Sequence, residues 1–231
     1  MTLKLEPLGD LAVVATLGSG IDAATLKSVL NFADAVAAAR ARGITDIVPA
    51  YATVTVFYDS AQFPDGQGGA YESVCRILEA CSQRARSAPG ALGAKLLEIP
   101  VLYGGEHGPD MEVVCEHCRI GADDVASLHS GADYMVHAIG FTPGFAYLGG
   151  LPDPLKTPRR DSPRARVPAG SVAIGGSQTG VYPIASPGGW QIIGRTPLAL
   201  FRPREEPAAL LKPGDRVRFR PMTAEEFDSW K

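Results

Sequence analysis

The chain has 231 residues, 45% of them apolar, with 22 Lys and Arg against 25 Asp and Glu and a net charge of −3. That length allows one large domain or two small ones, with ample apolar material for a core. The balance excludes the broad basic surface on which general nucleic-acid binding rests. The opening MTLKLEPLGD has no cationic start followed by an apolar centre, so no signal peptide is expected. No apolar run reaches the roughly 18 residues a membrane span needs. The expectation is a soluble cytoplasmic protein. Of the four cysteines, Cys75 and Cys81 fall in one predicted helix on different faces, about 9 Å apart along its axis, too far for a disulfide.

Leu11 to Leu17 reads as a strand. Asp22 can cap a helix with the apolar stripe Leu26, Val29, Leu30, Ala33 and Ala37, which Gly43 ends. Ile44 to Val48 and Thr53 to Tyr58 read as strands, Gly66 to Gly69 as a loop. A second helix carries Val74, Ile77, Leu78 and Cys81, and Lys95 to Val101 is a further strand. The order predicts an α+β domain of βαββαβ type over residues 1–101, two helices on one face of an antiparallel sheet. From Leu102 the pattern changes. A short strand is expected near Met111 to Val114, and a helix of about two turns capped by Asp123 and ending near Ser130. Turns and short strands follow until a last helix that opens with the capping-box pair Thr223 and Glu226. Residues 102–231 therefore read as a mainly-β barrel or sandwich.

The stretch 139–197 holds 11 Gly and 9 Pro in 59 residues. Short apolar runs at Ser171 to Ile174, Val181 to Ala185 and Gln191 to Ile193 sit between the turn residues, as in a compact β-domain. The same stretch concentrates Arg159, Arg160, Arg164, Arg166 and Arg195. A guanidinium can grip a carboxylate or phosphate through a planar fork of donors. Pro158, Pro163 and Pro168 stiffen the backbone that carries it. Arg159, Arg160, Arg164 and Arg166 are the candidate anion-binding residues, against the alternative of a solvated basic loop. Phe141, Pro143, Phe145, Tyr147, Tyr182 and Trp190 are candidate pocket walls, with neighbouring glycines admitting a ligand to the backbone. The alternative for the aromatics is barrel core. Gln178 and Thr179, beside Ser177 on a glycine-flanked segment, are candidate amide-reading groups or a plain hairpin turn.

No residue stands out as catalytic. Glu106, Asp110, Asp123 and Asp133 qualify by type alone as general bases. Cys115, His117 and Cys118 make a C-x-H-C cluster, but without a second such pair no metal site is expected, even with His107 or His129 in reserve. The GGSQTGVY segment lacks the GK[ST] ending of a phosphate-binding loop.

The runs GFTPGFAYLGGL (140–151), PRRDSPRARVPAGSVAIGG (158–176), QTGVYP (178–183) and ASPGGWQIIGRTP (185–197) resemble the signature of the family that groups the 5-oxoprolinase B component, allophanate hydrolase subunit 1 and KipI. GDLAVVATLG (9–18), VPAYATVTVFYD (48–59) and IPVLYGGEHGPDMEVV (99–114) extend the resemblance over nearly the whole chain. Cys115 and Cys118 depart from the small or polar residues usual there. The resemblance implies a cyclophilin-like barrel as the second domain. It implies a component of an ATP-dependent hydrolase that opens 5-oxo-L-proline to L-glutamate, inactive without homologues of the A and C components. ATP with magnesium would be held by the complex, its location in this chain left open. The implied alternatives are a KipI-like inhibitor of a sensor histidine kinase and a carboxyltransferase-type component of an allophanate or urea pathway.

Overall fold

The computed structural model describes residues 3–63, 69–87 and 95–230. Most of the expected 66–69 loop lies outside them. The chain divides into two compact units, Met1–Gly93 and Ala94–Lys231.

The first unit contains β1 (Lys4–Pro7), β2 (Ala12–Thr16), α1 (Ala23–Ala39), β3 (Ile44–Ala50), β4 (Thr53–Tyr58) and α2 (Gly69–Ser87). The strands form an antiparallel sheet in the order β1-β2-β4-β3. Alternation decides which face is buried. Val13 and Ala15 on β2, with Val54, Val56 and Tyr58 on β4, join one cluster with Val29, Phe32, Val36, Val74 and Leu78 of the helices. Asp22 caps α1, accepting from Thr25 N at 2.8 Å. The helix ends at Arg40, in the left-handed conformation, and not at Gly43.

The observed order is ββαββα, so the expected βαββαβ and the boundary at 102 need correction. β1 is too short and polar to read as a strand from its residues alone. The strand expected at Lys95–Val101 is β5 (Leu96–Tyr103), and it belongs to the second unit. There β13 (Arg216–Pro221) pairs with it in parallel and β12 (Gln191–Arg195) pairs with it antiparallel, so both of its edges are used.

The second unit continues with α3 (Met111–Cys118), α4 (Ala122–Ser130), β6 (Asp133–Ile139), β7 (Ala146–Gly149), β8 (Arg164–Val167), β9 (Ser171–Gly175), β10 (Gln178–Val181), β11 (Ser186–Gly188) and α5 (Ala224–Asp228). Seven strands close a barrel in the circuit β6-β13-β5-β12-β9-β10-β7, with β7 returning to β6. β8 and β11 form a separate ribbon.

Successive residues of the barrel strands serve two cores. Val101, Val136, Leu148, Val172, Ile174, Ile193 and Phe219 join one cluster, together with Val114 of α3 and Val125 of α4. Ala173 and Ile192 face the other way and pack with Phe145, Val167, Tyr182 and Trp190. β9 is thus buried on both faces, which is why its sequence runs apolar without alternation.

Met111–Val114 is a helical turn, not a strand: Met111, Val114, Cys115 and Cys118 stand at helical spacing and turn inward together. Gly121, not Asp123, occupies the N-cap of α4; Asp123 lies in the first turn, where the helix dipole favours its charge. The capping box of α5 forms as expected, with Glu226 N donating to Thr223 Oγ1 and Thr223 N to Glu226 Oε2. Among the described residues no helix is long and apolar enough to cross a membrane.

Candidate functional site: an aromatic cavity with an arginine rim

The outward core is a nest of aromatic rings seated on glycines. A Cβ on Gly175 would fall 2.5 Å from the Trp190 indole, and one on Gly188 would collide with the Tyr182 phenol. Gly188, expected to admit a ligand to the backbone, instead makes room for the Tyr182 ring. Phe145 lies at the centre, edge-on to Tyr147 at 4.8 Å, Tyr182 at 5.3 Å and Trp190 at 5.5 Å between centroids. Each such pair contributes about 1 kcal/mol beyond its burial. Beside this nest lies a cavity of about 270 Å3, walled by Phe141, Phe145, Tyr147, Tyr182 and Trp190. Arg159 and Arg160, with Pro163 and Pro187 to Gly189, complete its rim.

Asp110 organises the arginines. It is 1% exposed. Arg164 grips it with two donors, Nη1 and Nη2, each at 2.8 Å; Arg160 Nη1 adds a third at 2.9 Å and Ile192 N a fourth at 2.7 Å. The loop that precedes α3 is thereby tied to the PRRDSPR segment and to β12. Arg160 N also donates to Gly189 O at 2.7 Å, fixing the rim. Arg159 is placed differently. Its guanidinium carbon lies 5.7 Å from the Trp190 ring centroid, a cation–π distance. Among the described residues no carboxylate reaches it as an ion pair, so it is the cation on this rim with charge to spare. Burial raises the Tyr182 hydroxyl above its ordinary range, partly offset by the Trp190 backbone and by Arg159 and Arg164.

The cavity therefore gathers Arg159, Arg160, Phe141, Phe145, Tyr147, Tyr182 and Trp190 from the expected set. Arg164 stands behind Asp110 and does not line it. Arg166 and Pro143 are exposed and lie outside it. Gln178, opposite Gly175 in the β9–β10 hairpin, also lies outside it. Thr179 is fully buried and serves the barrel instead. Its hydroxyl donates to Ala173 O at 2.9 Å and so accepts from His129 Nε2 at 2.8 Å. That fixes the tautomer: His129 Nδ1 accepts from the Tyr103 hydroxyl at 2.8 Å. Burial pushes the His129 imidazole down to about 3 and raises the Tyr103 hydroxyl. The ring is neutral and structural.

Sequence reasoning leaves Asp110 as one of four undistinguished acids, because its partners lie 50 and 54 positions away. The only local signal is its place after GP at a turn. Asp133 bridges Arg216 and Arg218 at the surface. Cys115 and Cys118 close the buried face of α3; Cys118 Sγ lies 3.5 Å from Thr157 Oγ1. His107 stacks on Phe227 and His129 is engaged elsewhere. Among the described residues no three His, Cys, Asp or Glu side chains are placed to hold a metal ion.

Comparison with known proteins assigns this architecture. Residues 3–211 match the carboxyltransferase domain, subdomain C and D. The chain belongs to that family. It is 40% identical over 233 aligned positions to the B component of the 5-oxoprolinase of Bacillus subtilis, covering 99% of this chain and 96% of that one. Among solved structures, the protein TTHA0988 superposes with a TM-score of 0.77 at 35% identity; the match covers 92% of this chain but only 40% of the other. The Kluyveromyces lactis urea carboxylase superposes with a TM-score of 0.78 at 20% identity over 98% of this chain and 22% of its own, a likeness of fold alone. Within the carboxyltransferase-domain family, the closed seven-strand barrel is consistent with the cyclophilin-like expectation.

Proposed function

We propose that this chain is the B component of an ATP-dependent 5-oxoprolinase and that its cavity receives the substrate. The likeness to the B. subtilis protein over the full length supports the reaction. The observation that carries the site is the uncompensated guanidinium of Arg159 over Trp190 at the mouth of an apolar cavity. A carboxylate finds a cation there, and a lactam ring finds aromatic walls.

The residues at hand do not fit magnesium-ATP. A triphosphate needs several free cations and a metal carboxylate, whereas Arg160 and Arg164 are spent on Asp110, and Asp110 is saturated by four donors. In this proposal the nucleotide and the base that completes proton transfer are assigned to partners, homologues of the A and C components. A histidine-kinase inhibitor of the KipI type would offer an apolar groove without convergent polar groups, and the two arginines of this rim argue against it.

ATP-dependent release of glutamate from 5-oxo-L-proline is to be assayed with this chain alone and with the A and C components added. Turnover is expected only in the assembled mixture. Full turnover by the isolated chain overturns the shared site, and none by the mixture overturns the substrate.

A further inference from the structure

Phe141 combines two unfavourable features. Its φ is +68°, in the left-handed region that glycine tolerates and a bulky side chain resists. Thr142 N donates to Gly140 O at 2.8 Å, closing a three-residue turn around it, and turns of this hand are rare and strained. The ring is 60% exposed, the most exposed large apolar side chain among the described residues. The other positive-φ position of this loop, 144 at +79°, is a glycine, yet phenylalanine occupies 141. The turn is held firmly: Gly140 N donates to Phe145 O at 3.1 Å and Phe145 N to Thr142 O at 3.0 Å. Strain kept in place beneath an exposed ring is a reason to look for a use of that ring.

Its surroundings supply one. Phe141 stands edge-on to Phe145 at 5.6 Å and to Tyr182 at 6.4 Å. It lines the cavity with Trp190 and Arg159. We propose that Phe141 is the specificity-determining wall of this cavity. It covers one face of a small flat ring whose carboxylate rests on Arg159, and it selects cyclic over open-chain amide carboxylates. This deepens the hydrolase reading and rests on it for the choice of 5-oxo-L-proline as the cyclic probe. The cavity is small for a drug-sized ligand, which suits a single five- or six-membered ring.

Calorimetric titration of the full chain and of the assembled complex compares 5-oxo-L-proline with N-acetyl-L-alanine, which keeps the amide and carboxylate but has no ring. The parent is expected to prefer the cyclic ligand by roughly ten-fold, the scale of one lost aromatic face. Phe141→Ala and Phe141→Gly should each abolish that preference by weakening the cyclic ligand. Phe141→Gly should also keep or raise the melting temperature, because glycine relieves the backbone. Arg159→Gln should weaken both ligands alike and keep the preference, and Arg166→Ala, outside the cavity, should change neither. A preference that persists in both Phe141 variants, or is missing from the parent, overturns the proposal. Should the complex hydrolyse 5-oxo-L-proline while the Phe141 variants keep the parent KM, the hydrolase reading stands and this inference falls. Should the complex hydrolyse nothing while the preference still depends on Phe141, the inference stands and the substrate reading falls.

Discussion

The two sides of β9 and β12 solve opposite problems with residues one position apart. On the side of Val172, Ile174 and Ile193, the polar side chains of Tyr103, His129 and Thr179 form a chain of hydrogen bonds that ends on Ala173 O. On the side of Ala173 and Ile192, aromatic rings meet a cation that no acid among the described residues balances, and Arg160 Nε is buried without a partner. Satisfied polarity stabilises a fold. Polarity left over beside a cavity stands ready for a ligand. The contrast separates the residues that hold the barrel from those proposed to meet a substrate.

Asp110 is where the two sides meet, and removing it should have the largest effect. Asp110→Ala leaves two partly buried guanidinium groups without their acid. The expected loss is about 3 kcal/mol, at the low end for a buried pair because the Arg160 and Arg164 side chains remain 32% and 25% exposed. Urea denaturation measures it, and a loss below about 1 kcal/mol would show the cluster to be a surface ornament. Arg160→Ala should lower both ligand binding and stability, because Arg160 holds Asp110 as well as the rim.

Gly175→Ala probes the outer face from beneath. The added methyl must displace Trp190, at a cost of about 2 kcal/mol for overpacking. Binding of 5-oxo-L-proline should weaken with it; unchanged binding would mean that the indole does not shape the site.

His129 probes the inner face through pH. Its folded value of about 3 lies below the ordinary 6.5, so unfolding takes up a proton at any pH between the two. The stability it confers is complete above about 6.5 and falls as pH drops towards 3, with a slope approaching 1.4 kcal/mol per pH unit for one proton. His129→Gln should flatten that part of the profile. A parent and a variant with parallel profiles from pH 6.5 to 4 would show that the imidazole is not held neutral.

The smallest stability effect belongs to Arg159→Gln, which removes an exposed cation and should shift unfolding by under about 0.5 kcal/mol. Its effect on carboxylate binding should far exceed that. Equal losses of binding and stability would return Arg159 to the structural side of the comparison.

Some of this was legible in the order of residues alone. Periodicity placed α1, α2, β2 and β4, because an amphipathic element writes its burial into its own sequence. Thr223 and Glu226 announced the last helix, because a capping box is a contact across three positions. The aromatic walls and two rim arginines were legible as composition, since stiff proline-rich backbone and clustered guanidinium groups are local properties. Cys115 and Cys118 stood out as well, but helical spacing with Met111 and Val114 makes them core rather than ligands. What needed the tertiary structure is every fact that depends on distant partners. β5 joined the barrel because β12 and β13 claim its edges. Thr179 turned inward to His129, while Trp190 packed on the outer side. Asp110 rather than a ligand occupies Arg164, while among the described residues no acid pairs with Arg159 on the rim. Pairing across dozens of residues sets which charges cancel, and only the folded chain brings those partners within hydrogen-bond reach.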